Sequence, residues 1–126
     1  MVYDMKDYPP YFKASELMCK CGKCDGGEMD DGFMLKINLI REACGFPFIV
    51  NSAFRCEAHN KSVGGVAGSD HTRGLGLDIA VYNPQAMIIV QESVKFLNRI
   101  GISQKDGLPR YIHLGGDSSP YAIWSY

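Results

Sequence analysis

The stretch Ser69-Asp70-His71-Thr72-Arg73-Gly74-Leu75-Gly76-Leu77-Asp78-Ile79 constrains this chain more than any other segment. Leu77, Ile79 and Val81 alternate with Gly76, Asp78 and Ala80, so a strand over residues 75–81 turns apolar side chains one way and Asp78 the other. His71 precedes that strand in a loop, and Gly74 and Gly76 let the chain turn back so that both side chains reach one point. Downstream, Tyr111-Ile112-His113-Leu114 reads as another strand, with His113 facing away from Ile112 and Leu114. If the two strands are neighbours, His113 and Asp78 share a face. Two imidazoles and one carboxylate suffice to hold a zinc ion with one coordination position open, the arrangement a hydrolytic site needs. Each residue alone has a plainer reading: a strand histidine is more often a satisfied polar group, and Asp78 could cap a turn.

The remaining pattern gives an α+β chain. Phe33, Met34, Ile37, Ile40 and Cys44 recur at helical spacing from Asp31 to Cys44, with Asp30 and Asp31 at the positive end and Gly45 at the stop. Residues 48–54 read as a strand, residues 56–62 as a short helix, and residues 122–126 as a final strand joined to 110–114 through a Gly-, Ser- and Pro-rich turn. A longer helix is expected from Asn83, as cap, to Ile100, stopped by Gly101, with Met87, Val90, Val94 and Leu97 as its buried stripe. Helices and strands do not alternate strictly, which favours a small antiparallel sheet flanked by helices. With 126 residues the expectation is one domain over 1–126, whose residues 1–28 form an irregular Cys-containing arm with one helical turn near 13–18.

A net charge of −1 argues against a nucleic-acid partner, and no apolar run approaches a membrane span. Residues 1–7 carry neither a basic nor an apolar leader region, so the reading is of synthesis in the cytoplasm and a separate route to any site of action outside it. The five cysteines cannot all pair within one chain. Three crowd into Cys19-Lys20-Cys21-Gly22-Lys23-Cys24, which leaves open a structural metal or a disulfide. No matching second half stands at the usual spacing, and free thiols are the default.

Two further motifs join the opening stretch and converge with it on one family. Ser52 to Arg55 gives S-x-x-R, His59 to Gly65 gives H-N-x-x-V-G-G, and Ser69 to Ile79 gives S-x-H-x-x-G-x-x-x-D-I. Together they resemble the D-Ala-D-Ala carboxypeptidase-like zinc peptidases, which share a fold with the hedgehog signalling domain and with many phage endolysins. The resemblance spans roughly residues 12 to 114 and is densest over 52–79. It implies a hedgehog/DD-peptidase-like fold, Zn2+ as cofactor, and His71, Asp78 and His113 as its ligands. Arg55 matches the arginine that binds substrate and polarises its carbonyl, a task suited to a guanidinium's fixed fork of donors; a structural ion pair is the alternative.

The resemblance further implies a monomeric peptidase of phage-lysin type, acting on a peptidoglycan stem peptide as a D-Ala-D-Ala carboxypeptidase or an endopeptidase. A non-catalytic zinc-binding recognition module of the same fold is the alternative. The chain departs from the pattern at the general base. Several relatives carry an acid three positions before the last histidine, where this chain has Arg110, and others carry aspartate two positions after it, at Gly115. Asp117 is the favoured substitute, because the glycines before it could let the loop fold back; Asp70, Glu57 and Asp106 are the other candidates.

Overall fold

Helix formation in the longest helical segment is dictated at both ends. Asp30 accepts a hydrogen bond from the backbone N–H of Phe33 at 2.8 Å, which satisfies one of the free donors of the first turn. Gly45 closes the other end, its N–H bonded to the carbonyl of Arg41. The computed structural model describes residues 6–82, 84–105, 108–116 and 121–126. In chain order its elements are α1 (Ala14–Leu17), α2 (Asp31–Cys44), β1 (Ile49–Ser52), α3 (Glu57–Ser62), a 3-10 turn (Asp70–Arg73), β2 (Gly76–Ala80), α4 (Gln85–Ser93), β3 (Arg99–Lys105), β4 (Leu108–Gly115) and β5 (Ala122–Ser125).

The strands form one mixed sheet in the order β1-β2-β4-β3-β5. Every pairing is antiparallel except β3 with β5. The exception has a topological cause. Strand β5 runs opposite to β4, but β3 and β2 already occupy both edges of β4. The last strand therefore lands beyond β3 and runs parallel to it. The α+β expectation holds, with this one parallel pair added.

One face of the sheet packs on α2. Phe33, Met34, Ile37 and Ile40 meet Leu77, Ile79, Ile112 and Leu114 in a single apolar cluster, and Ile89 joins it from α4. Burial of each such side chain contributes about 1.5–3 kcal/mol. The N-terminal arm is stitched onto this core: Phe12, Leu17 and Cys19 are buried, and the Phe54 N–H donates to the Leu17 carbonyl at 3.0 Å. No helix among the described residues is long and apolar enough to cross a membrane.

The segment after Pro84 departs from the expected helix. Helix α4 ends at Ser93, and Arg99–Lys105 is a strand. Of the proposed stripe only Leu97 is buried outright. Met87 is 71% and Val94 58% exposed, while Val90 is half-buried and, with Ala86, packs beside the fully buried Ile89 in the helix's apolar contact with the core. The reason is non-local. Residues 99–103 complete the hydrogen bonding of β4, with Ile100 opposite Leu114 and Ile102 opposite Ile112. Gly101, expected as a helix stop, is instead a strand residue crossed by an aromatic ring: a Cβ there would lie 2.6 Å from the Trp124 indole. The proposed cap Asn83, the favoured base Asp117 and the candidate base Asp106 lie outside the described residues.

Candidate metal centre

A single row of residues crosses the sheet on the face opposite α2. Ser52 pairs with Asp78, Asp78 with His113, His113 with Gly101, and Gly101 with Trp124. Strands β2 and β4 are thus neighbours, and their register sets the Asp78 carboxylate directly against the His113 ring. His71 arrives from the 3-10 turn. Ser69 opens that turn by accepting the His71 N–H at 3.2 Å, and Gly74 ends it in the left-handed conformation at φ 70°. The ring then lies 4.9 Å, centroid to centroid, from that of His113.

His71 Nε2 and His113 Nδ1 both face Asp78 Oδ1, at 3.2 and 2.8 Å. All three residues are buried, and one ligand atom from each lies within 4.8 Å of the others. What turns these particular nitrogens inward is the partner on the far side of each ring. His71 Nδ1–H donates to the Ala53 carbonyl at 2.6 Å. His113 Nε2–H donates to Asp70 Oδ2 at 2.9 Å. Each ring is thereby fixed in the tautomer that leaves a lone pair aimed at Asp78. The donor chemistry fits a divalent cation: two neutral imidazoles, one carboxylate oxygen, and an oriented oxygen behind each ring.

Without a cation a proton takes that place. Burial opposes charge on His113, but Asp70 and Asp78 outweigh it and raise the ring's pKa above its ordinary value. Burial also works against the Asp78 carboxylate, yet His113 and His71 hold its carboxyl well below the usual range. Asp70 is lowered in the same way, burial being overcome by His113 and Arg99.

Arg55 stands at the second oxygen of the aspartate. Its Nη2 lies 3.4 Å from Asp78 Oδ2, Nε donates to Ser52 Oγ at 3.0 Å, and Nη1 donates to Asn60 Oδ1 at 3.2 Å. Asn60 is itself held by a bond from Nδ2 to the Val66 carbonyl at 2.9 Å. The guanidinium borders a cleft of about 510 Å³ whose walls include Ser69, Tyr111, Trp124 and Tyr126 as well as the three candidate ligands. Among the described residues the acidic side chains of this cleft are Asp70 and Asp78. Asp70 is fully committed, to His113, to Arg73 at 3.0 Å and to Arg99 at 3.1 Å. Its place is behind the site, a poor position for a proton acceptor facing substrate. Glu57 and Arg110 are exposed.

Arg99 and Trp124 are the residues that sequence reading missed. The Arg99 guanidinium lies 5.2 Å from the Trp124 ring centroid while its Nε holds Asp70, and the indole lies 5.5 Å from the His113 ring. The alternation Ile100-Gly101-Ile102 was the available signal for placing Arg99 on a strand; the expected helix concealed it.

No curated protein sequence matches the chain. A family model described as peptidase M15 matches residues 10–115. With that match covering most of its length, the chain belongs to the peptidase M15 family, the zinc D-Ala-D-Ala carboxypeptidase-like peptidases.

Proposed function

We propose that this protein is a zinc-dependent peptidase that hydrolyses a stem-peptide bond of peptidoglycan, as a D-Ala-D-Ala carboxypeptidase or an endopeptidase of phage-lysin type, with His71, Asp78 and His113 as its zinc ligands. The observation that carries the reading is the pair of outer hydrogen bonds, from His71 to Ala53 and from His113 to Asp70, which aim both free ring nitrogens at one carboxylate oxygen. A zinc ion bound there would lower the pKa of a coordinated water from 15.7 toward ~7 and polarise a carbonyl.

The protein's own groups do the rest. Arg55, anchored by Ser52 and Asn60, presents donors to the cleft where negative charge develops on the carbonyl oxygen or where a terminal carboxylate docks. Tyr111, Trp124 and Tyr126 give the cleft an aromatic wall against which a short peptide can lie. Asp117 is the proposed acceptor of the water proton and its donor to the leaving amine.

A second reading is a zinc-binding recognition module without catalysis. It is favoured by one observation: among the described residues, no uncommitted carboxylate reaches the cleft. Isolated cell walls separate the two. Incubation with the purified protein should release new amino groups, and a chelator should abolish the release. Stoichiometric zinc with no amine release would establish the module.

A further inference from the structure

The cysteine cluster of the N-terminal arm does have a second half, and it comes from the loop that carries Arg55. Cys56 caps α3 and faces Cys19, Cys21 and Cys24 across the join between arm and core. The four sulfurs all lie within 4.8 Å of one another, and none is in a disulfide.

Their spacing distinguishes a metal site from a bridge. Cys21 Sγ and Cys56 Sγ are 3.9 Å apart. A tetrahedral zinc with bonds of about 2.3 Å to sulfur sets an edge of about 3.8 Å between ligands, whereas a disulfide closes to about 2.05 Å.

Each sulfur also accepts a backbone N–H. The donors are Cys56 to Cys19 at 3.3 Å, Lys23 to Cys21 at 3.2 Å, Gly26 to Cys24 at 3.4 Å and His59 to Cys56 at 3.4 Å. Four N–H groups converging on four sulfurs match what thiolates need when they share a cation, because the donors spread the negative charge. Lys20 and Lys23 alternate with the cysteines and are exposed, adding positive charge nearby. Soft sulfur ligands in a closed tetrahedron select zinc over calcium or magnesium.

We infer that Cys19, Cys21, Cys24 and Cys56 bind a second zinc ion, structural in role, that locks the N-terminal arm to the loop holding Arg55. All four positions are filled by protein, so this ion has no place for water or substrate. Its effect on the cleft is positional. Cys56 follows Arg55 directly and begins the helix carrying Asn60, so the tether fixes the backbone on both sides of the guanidinium's anchor.

The test reads metal in the full chain, separately from any peptidase activity. Elemental analysis should give about two zinc ions per wild-type chain and about one in a His71→Ala/His113→Ala variant, as a closed tetrathiolate site survives loss of the histidines. Cobalt loaded into that variant should show thiolate-to-cobalt charge transfer, which a histidine and carboxylate site cannot produce. A mercurial reagent should release its zinc as four thiols react. Cys44→Ser should leave the metal content unchanged, since Cys44 stands outside the cluster. A histidine variant that folds but holds no zinc and shows five freely reactive thiols would overturn the inference. So would an intact mass revealing disulfides, or iron in place of zinc.

Discussion

His113 Nε2 is bound to Asp70 Oδ2 at 2.9 Å, so a carboxylate stands behind the imidazole that faces Asp78. This bond selects the tautomer of His113 and raises its basicity toward a cation. Asp70→Ala should therefore weaken zinc binding by about 10–100-fold, although Asp70 is not itself a proposed ligand. Competition against a chromogenic chelator measures this directly. Unchanged affinity would show that strand geometry alone orients the ring.

Arg55 presents the converse case, a group expected to matter for turnover and little for metal. Arg55→Ala should lower kcat/KM on a cell-wall substrate by roughly 10²–10³-fold while zinc content stays near that of the wild type. Arg55→Lys should restore little, because an ammonium cannot reproduce the fork that spans Ser52, Asn60 and Asp78. Loss of zinc or of fold in Arg55→Ala would mark the residue as a structural partner of Asp78.

In the proposed site, protons and zinc would compete for the same lone pairs. In the metal-free protein the raised pKa of His113 gives stability that is full below about 6.5 and lost as pH rises through the folded value. The lowered pKa values of Asp78 and Asp70 give stability present above about 3.8 and lost as pH falls through their folded values. The chelated protein should thus be most stable between these limits and lose Tm on the alkaline side. In the proposed ligand set zinc needs His113 Nδ1 bare, so occupancy at fixed free zinc should begin to fall as pH drops through the raised value of His113, already above ~6.5, and continue to fall below it. Flat occupancy down to pH 4 would contradict the ligand set.

Gly101 makes room for the aromatic wall. A side chain there collides with the Trp124 indole, so Gly101→Val should cost about 1–3 kcal/mol in denaturant unfolding and displace the ring from beside His113. Tryptophan fluorescence would report the displacement. A variant as stable as the wild type, with unchanged emission, would show that this contact does not shape the cleft.

How far these relationships are legible in the sequence depends on their range. Helix α2 is read to the residue because Asp30, its apolar stripe and Gly45 are all local. The pairing of Asp78 with His113 is anticipated for a similar reason: alternation assigns each side chain a face, and only strand adjacency remains to be supplied. The long helix fails at Gly101, where a glycine that accommodates Trp124 from another strand is indistinguishable from a helix stop. Asp70 is legible as an acid but not as the orienter of a histidine in a distant strand. Cys56 looks solitary for the same reason, because its partners lie on an arm that only tertiary folding brings to it.

The most direct test of the zinc centre is anomalous diffraction at the zinc absorption edge from crystals of the purified full chain. The account predicts a peak bounded by His71 Nε2, Asp78 Oδ1 and His113 Nδ1, with Asp70 behind His113 and outside bonding distance of the ion. A structure from zinc-supplemented protein with no anomalous density among those three atoms would contradict it.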